Sequence, residues 1–181
     1  MMMVVLPSLV LALLCLLRAG AEVPVQPGFD AEKFAGTWHV AAIASNCSVF
    51  LKMKDGMKSS ITTISFTLEG DVSMKLLWPM ADKCQKFELL FQRSGQAGHY
   101  VAAQEMRDLR VMETDYSSYA IVHEFKRSGE EPHSAMQLLT REQDVSPQLL
   151  QKFKELMPTV GLTTDMMAVL PKSDQCTKDI R

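Results

Sequence analysis

The chain has 181 residues, 22% of them charged, and a formal charge of −2. That near-balance argues against nucleic acid or an anionic membrane as the main partner. Its length suits one domain able to bury its own core, and no linker, repeat or low-complexity run divides it.

At the N-terminus, Val4 to Leu17 is apolar apart from Pro7 and Ser8, and Ala19-Gly20-Ala21 follows. An apolar run ending in small residues predicts a cleaved signal peptide, residues 1–21, ahead of a mature domain over residues 22–181. The run is shorter than the roughly 20 residues needed to cross a bilayer. Cleavage removes Cys15 and leaves Cys47, Cys84 and Cys176. In an oxidising compartment three cysteines read as one pair plus one thiol, with three pairings open. A bond between Cys84 and Cys176 would pin the tail to the body of the domain. Asn46-Cys47-Ser48 is also a glycosylation sequon in a secreted chain, with Asn46 as acceptor.

Short strands follow at close spacing. Trp38, Val40, Ala42 and Ala44 alternate with His39, Ala41 and Ile43, and Ile61 to Phe66 is β-branched and aromatic. Val72 to Trp78 forms the next strand, stopped by Pro79, and Cys84 to Gln92 the one after it. His99 to Ala102, Leu109 to Thr114, Tyr119 to Phe125 and Ala135 to Thr140 complete eight strands joined by hairpin-length connections. That pattern predicts an all-β fold, an up-and-down antiparallel barrel rather than βαβ units. One helix is predicted late in the chain, with Ser146 as N-cap, Pro147 in its first turn and Gly161 past its end. Leu149, Leu150, Phe153, Leu156 and Met157 form its single apolar face. Met166 to Leu170 is a further short apolar run, read as a ninth strand. Eight-stranded barrels leave room inside for one small ligand.

Three separated motifs then carry a family resemblance. Gly36-Thr37-Trp38 enters the first strand after Phe29 to Phe34, Thr114-Asp115-Tyr116 sits in the hairpin after the sixth strand, and Arg141 follows the eighth. Together they resemble the lipocalin family, in which a basic residue packs over the motif tryptophan and closes one barrel end. The resemblance implies a lipocalin calyx and a Cys84–Cys176 disulfide. Val145-Ser146-Pro147, Thr114 to Ala120 and Met166 to Pro171 are similar to one subgroup: prostaglandin D synthase, extracellular fatty-acid-binding lipocalins and siderophore-binding lipocalins.

Only one kind in that subgroup is an enzyme, an isomerase whose cysteine thiol points into the barrel. Alignment through Phe50-Leu51-Lys52-Met53-Lys54 puts Ser60 at that position. A serine hydroxyl without a neighbouring base does not replace a thiolate attacking a peroxide. The chain is therefore read as a carrier, not an enzyme. Cys47 is left with three readings: a free thiol near the mouth, a mixed or intermolecular disulfide that dimerises an otherwise monomeric protein, or a catalytic or ligand-capturing thiol.

Family register assigns the inward residues. Ser60, Thr62, Ile64 and Phe66 face in from the second strand, and Phe87, Leu89 and Phe91 from the fourth. Arg107, Leu109 and Val111 do so from the sixth, Ala120, Val122, Glu124 and Lys126 from the seventh, and Ala135, Gln137 and Leu139 from the eighth. The expectation is an apolar lower cavity with a polar mouth. Arg107, Lys126 and Gln137 fall where the subgroup places three basic residues that hold an anionic group. Arg107 and Lys126 would pair with a carboxylate or phosphate head, the tail lying against Phe66, Phe87 and Phe91, while an inward Glu124 would neutralise one of the cations. A fatty acid, retinoid or lysophospholipid fits this balance, with a ferric siderophore as the alternative. His39, His99, His123 and His133 show no metal-ligand spacing, so no metal or other cofactor is expected, and the histidines are read as surface or satisfied positions.

Overall fold

The structure, a computed structural model, describes residues 22–127, 129 and 131–180. The expected signal peptide lies outside them.

Eight strands run in chain order: β1 (Gly36–Ser45), β2 (Ile61–Phe66), β3 (Val72–Met80), β4 (Lys83–Arg93), β5 (His99–Ala102), β6 (Arg107–Thr114), β7 (Tyr119–Lys126) and β8 (His133–Thr140). Each pairs antiparallel with the next, and β8 returns to β1, so the sheet closes. The first half of β1 pairs with β2 from Gly36 to His39. Its second half pairs instead with β9 (Met167–Val169), which fills the place β2 leaves. Between β4 and β5 the wall is thin. Only Gln92 and Arg93 of β4 meet β5, so Lys83 to Phe91 pairs with β3 alone among the described residues.

Three α-helices complete the described residues. α1 (Ala31–Phe34) is capped by Asp30, whose carboxylate accepts from Lys33 N at 3.2 Å, and it leads the chain across the closed end. α2 (Ser48–Met53) lies in the long β1–β2 connection, where no helix was expected. α3 (Pro147–Leu156) begins as predicted, with Ser146 Oγ accepting from Leu149 N at 3.2 Å. Its Phe153 and the following Met157 are fully buried against the outer wall, on Ala42, Ala44, Ile121, Met136 and Leu138. The alanines of β1 make this close approach possible. Lys152 of α3 also meets Glu113, which accepts from Tyr119 as well, fastening the helix to the barrel. Burial alone would raise the Glu113 pKa, but the bonds from Lys152 and Tyr119 outweigh it and hold the carboxyl below its ordinary value.

Two expectations are corrected here. Strict alternation along β1 fails because a bulge falls between Val40 and Ala42. Val40 and Ile43 therefore both join the interior cluster, while Ala41, Ala42 and Ala44 lie under α3. Pro79 does not stop β3; it pairs with Cys84 inside the hairpin, which runs on to Met80 and Lys83. A proline is tolerated there because a strand can leave one N–H side unpaired near its end.

Candidate functional site

The closed end is built first by backbone demands. Gly36 has φ +106, a conformation that suits glycine, and a Cβ there would come 3.2 Å from Arg141 Nη1. The Arg141 guanidinium lies 3.6 Å from the Trp38 ring centroid. It donates to the carbonyls of Tyr116, Thr37, Lys33 and Ala35, each at 3.0 Å. Trp38 Nε1 donates to Phe34 O at 2.9 Å. In the β6–β7 hairpin, Asp115 accepts from Ser118 N and Tyr119 N, while Tyr116 OH accepts from Asp30 N at 3.0 Å. These residues seal the base of the barrel.

Inside, cross-strand register assigns the faces. Val40 N donates to Ser60 O, which sets Ser60 opposite inward Val40 and Thr62 opposite Trp38. Ile64, Val72 and Phe91 are buried in the interior cluster, and Phe66 stacks on Tyr100 at 5.8 Å. Leu109, Val111, Val122 and Leu139 are buried too, so much of the β6–β8 side of the interior is packed by its own side chains. Towards the other end exposure rises. Leu76, Phe87, Leu89, Ala135 and Gln137 are partly or largely exposed on the inward face, and Phe87 retains 54% of its surface. The inward apolar surface left exposed therefore includes Phe87 and Leu89 of β4 and Leu76 of β3. Phe66 and Phe91 belong to its floor, which sequence alternation could not reveal.

At the mouth, Arg107 faces Lys126, which in turn faces His133. One inward step deeper, Glu124 pairs with Leu109 and Ala135. Gln137 lies deeper still, opposite Val122 and Ile43, and so is not beside the two cations. Arg107 Nη1 donates to Glu124 Oε1 at 3.0 Å, and its Nε lies 3.0 Å from exposed Glu105. Arg107 is thus matched by two carboxylates. Burial raises the Glu124 pKa, and attraction to Arg107 only partly offsets this. Lys126 makes no ion pair among the described residues. Ser60 Oγ and Thr62 Oγ1 are buried without a hydrogen-bond partner, so no base addresses the Ser60 hydroxyl.

Cys84 and Cys176 form the disulfide. With Ile61 and Leu77 they make a small cluster on the outer wall, under the tail. Cys47 is a half-buried free thiol preceding α2. Asn46 is exposed, and its side-chain oxygen accepts from Ser134 N at 2.9 Å. Of the two readings open for His123, surface or satisfied, the structure shows the second. The residue is 3% exposed on the outer face of β7, with Nε2 2.6 Å from Ser134 Oγ, and burial lowers its pKa to about 4. No group of three or more metal-ligating side chains occurs among the described residues.

The profile of the Lipocalin / cytosolic fatty-acid binding protein family matches residues 35–174. This chain is a lipocalin. It is similar to human Lipocalin-15, with 41% identity over 179 residues, covering 98% of this chain and 97% of the relative. It is also similar to the extracellular fatty acid-binding protein of Coturnix japonica, with 35% identity over 173 residues, covering 95% and 96%. Among solved structures, the siderocalin Ex-FABP, described as functioning through dual ligand specificities, superposes with a TM-score of 0.72 at 31% identity. That match covers 78% of this lipocalin and 95% of the neighbour. No helix among the described residues is long and apolar enough to cross a membrane.

Proposed function

We propose that this lipocalin is a secreted carrier, not an enzyme, for a small hydrophobic anion: a fatty acid, retinoid or lysophospholipid. The observation that carries the reading is the mouth register. Arg107 and Lys126 are cross-strand neighbours on the inward face, above an apolar wall that includes Leu76, Phe87 and Leu89. The head group meets Lys126 first, because Arg107 is already held by Glu124 and Glu105. A charge-assisted contact in such a partly dry mouth contributes about 1.5–3 kcal/mol. The tail lies against Phe87 and Leu89 above the floor made by Phe66, Ile64 and Phe91. Gln137 offers an amide deeper in the cavity. The disulfide agrees with an extracellular destination, and the exposed sequon makes Asn46 a glycan acceptor.

Against an isomerase stands Ser60, whose unpartnered hydroxyl has no base to activate it. A ferric siderophore is the second reading, favoured by the likeness to a siderocalin. Two carboxylates beside Arg107 and a neutral Gln137 serve a multiply charged anion poorly. Native mass spectrometry of protein secreted from eukaryotic cells, with identification of the extracted guest, tests the choice. A co-purifying lipid anion whose retention falls in Arg107→Ala with Lys126→Ala supports the carrier. Uptake of ferric siderophore with no lipid would move the assignment to iron sequestration.

A further inference from the structure

We propose that one side of the open rim, formed by the β1–β2 connection and the β3–β4 turn, docks on the surface of an anionic lipid bilayer. The inference stands apart from the choice of ligand.

Topology brings the two segments together. The strand order β1-β2-β3-β4 makes them neighbouring connections at the same end of the barrel. α2 spans the apolar run Val49-Phe50-Leu51 and ends at Met53. Six helical residues cannot turn all four of these side chains inward. Phe50 packs against the interior cluster and anchors the helix, while Val49 is 61% exposed, Leu51 36% and Met53 39%. In the adjoining turn Met80 is 49% exposed, next to Ala81 at φ +52. Exposed apolar side chains grouped on one rim, beside a cavity mouth, mark a contact surface.

Charge selects the partner. Lys52, Lys58 and Lys83 are exposed within this side of the rim and make no ion pair among the described residues. Lys54 is matched by Asp55 at 3.2 Å and also attracts Asp165, and Asp82 is the further opposing charge in the β3–β4 turn. The near-balanced net charge of the chain hides this local excess, because acids gather elsewhere. Glu69, Asp71 and Asp115 lie in closed-end connections. Glu131 belongs to the β7–β8 turn, on the side of α2 away from Met80, and tilts the contact towards the lysines. Short apolar side chains flanked by lysines match an anionic interface, where the aliphatic parts enter and the ammonium groups stay with the head groups. A patch this small gives a weak, reversible contact, as a carrier that must leave the membrane requires.

The test is sedimentation of the full secreted protein with vesicles of phosphatidylcholine alone and of phosphatidylcholine mixed with phosphatidylserine. Binding is expected to the mixed vesicles only, and salt should weaken it. Lys52→Gln and Lys58→Gln should each weaken it about fivefold. Leu51→Asp with Met53→Asp should abolish it, with Val49→Ser as a milder variant and circular dichroism as the check on folding. Leu68→Asp, at the fully exposed Leu68 of the closed end, should change nothing. Equal binding to both vesicle types, no binding to either, or an equal loss in Leu68→Asp would overturn the proposal. The readout is the protein itself, so a failure to carry any lipid anion leaves it unaffected.

Discussion

The guanidinium of Arg141 covers the Trp38 ring at 3.6 Å while its N–H groups bond to four backbone carbonyls. Both halves of the contact need a planar, multidentate cation, which lysine is not. Arg141→Lys is expected to cost about 2 kcal/mol and Arg141→Ala about 3 kcal/mol, from the lost ring contact and hydrogen bonds. Urea unfolding measures both. Gly36→Ala should cost about 1–3 kcal/mol through its positive φ. Its effect should shrink in the Arg141→Ala background, since the crowding of Nη1 against a new Cβ is then gone.

Glu124 controls how much of Arg107 a ligand can use. Its pKa is raised mainly by burial, so the folded chain holds this proton more tightly than the unfolded one. The resulting stability is fully present below the ordinary carboxylate value of 4.5 and is lost as pH rises through the elevated one. Protonation also releases Arg107. Affinity for an anionic probe such as a fluorescent fatty acid should therefore rise as pH falls through that elevated value. Glu124→Gln should bind the probe about tenfold tighter and flatten this dependence. Unchanged affinity in the variant would remove Glu124 from the mouth's charge balance.

His123 acts in the opposite direction. Its pKa is depressed to about 4 from 6.5, mainly by burial, with Arg110 adding to the effect. Stability is complete above 6.5 and declines as pH falls towards 4, by about 3 kcal/mol in total. His123→Gln should lower stability at neutral pH, where the bond to Ser134 is lost, and flatten the profile across that window. Denaturant unfolding at stepped pH measures it.

The Cys84–Cys176 bond joins positions 92 residues apart. A loop of that size is worth about 4–5 kcal/mol in the chain-entropy model. Reduction should lower the unfolding midpoint accordingly. It should also free the tail from Ile61 and Leu77, seen as faster hydrogen exchange at those two positions.

Much of this architecture was legible in the residues. Trp38, Thr114 and Arg141 marked the closed end, because backbone geometry there leaves few alternatives. Alternation on β6 to β8, anchored by the family's register, assigned Arg107, Glu124, Lys126 and Gln137 to one face, since hairpins transmit register from strand to strand. Other features depend on distant contacts. The bulge after Val40 turns the β1 alanines towards α3, more than a hundred residues away. His123 is buried by what packs over β7, which its own strand cannot report. Depth within the barrel escapes a two-residue period altogether, so Phe91 and Phe87 looked equivalent although one is floor and the other is wall.

The carbonyls that hold Arg141 include those of Lys33, Ala35 and Thr37, up to 108 residues away in sequence. No local segment can assemble such a clasp; it forms only once both ends of the meander have met. Its bonds therefore belong to the last events of folding, which for contacts this remote runs in milliseconds to seconds. Breaking the clasp is expected to speed unfolding and leave the folding rate nearly unchanged, so that Arg141 sets the lifetime of the closed barrel more than its formation.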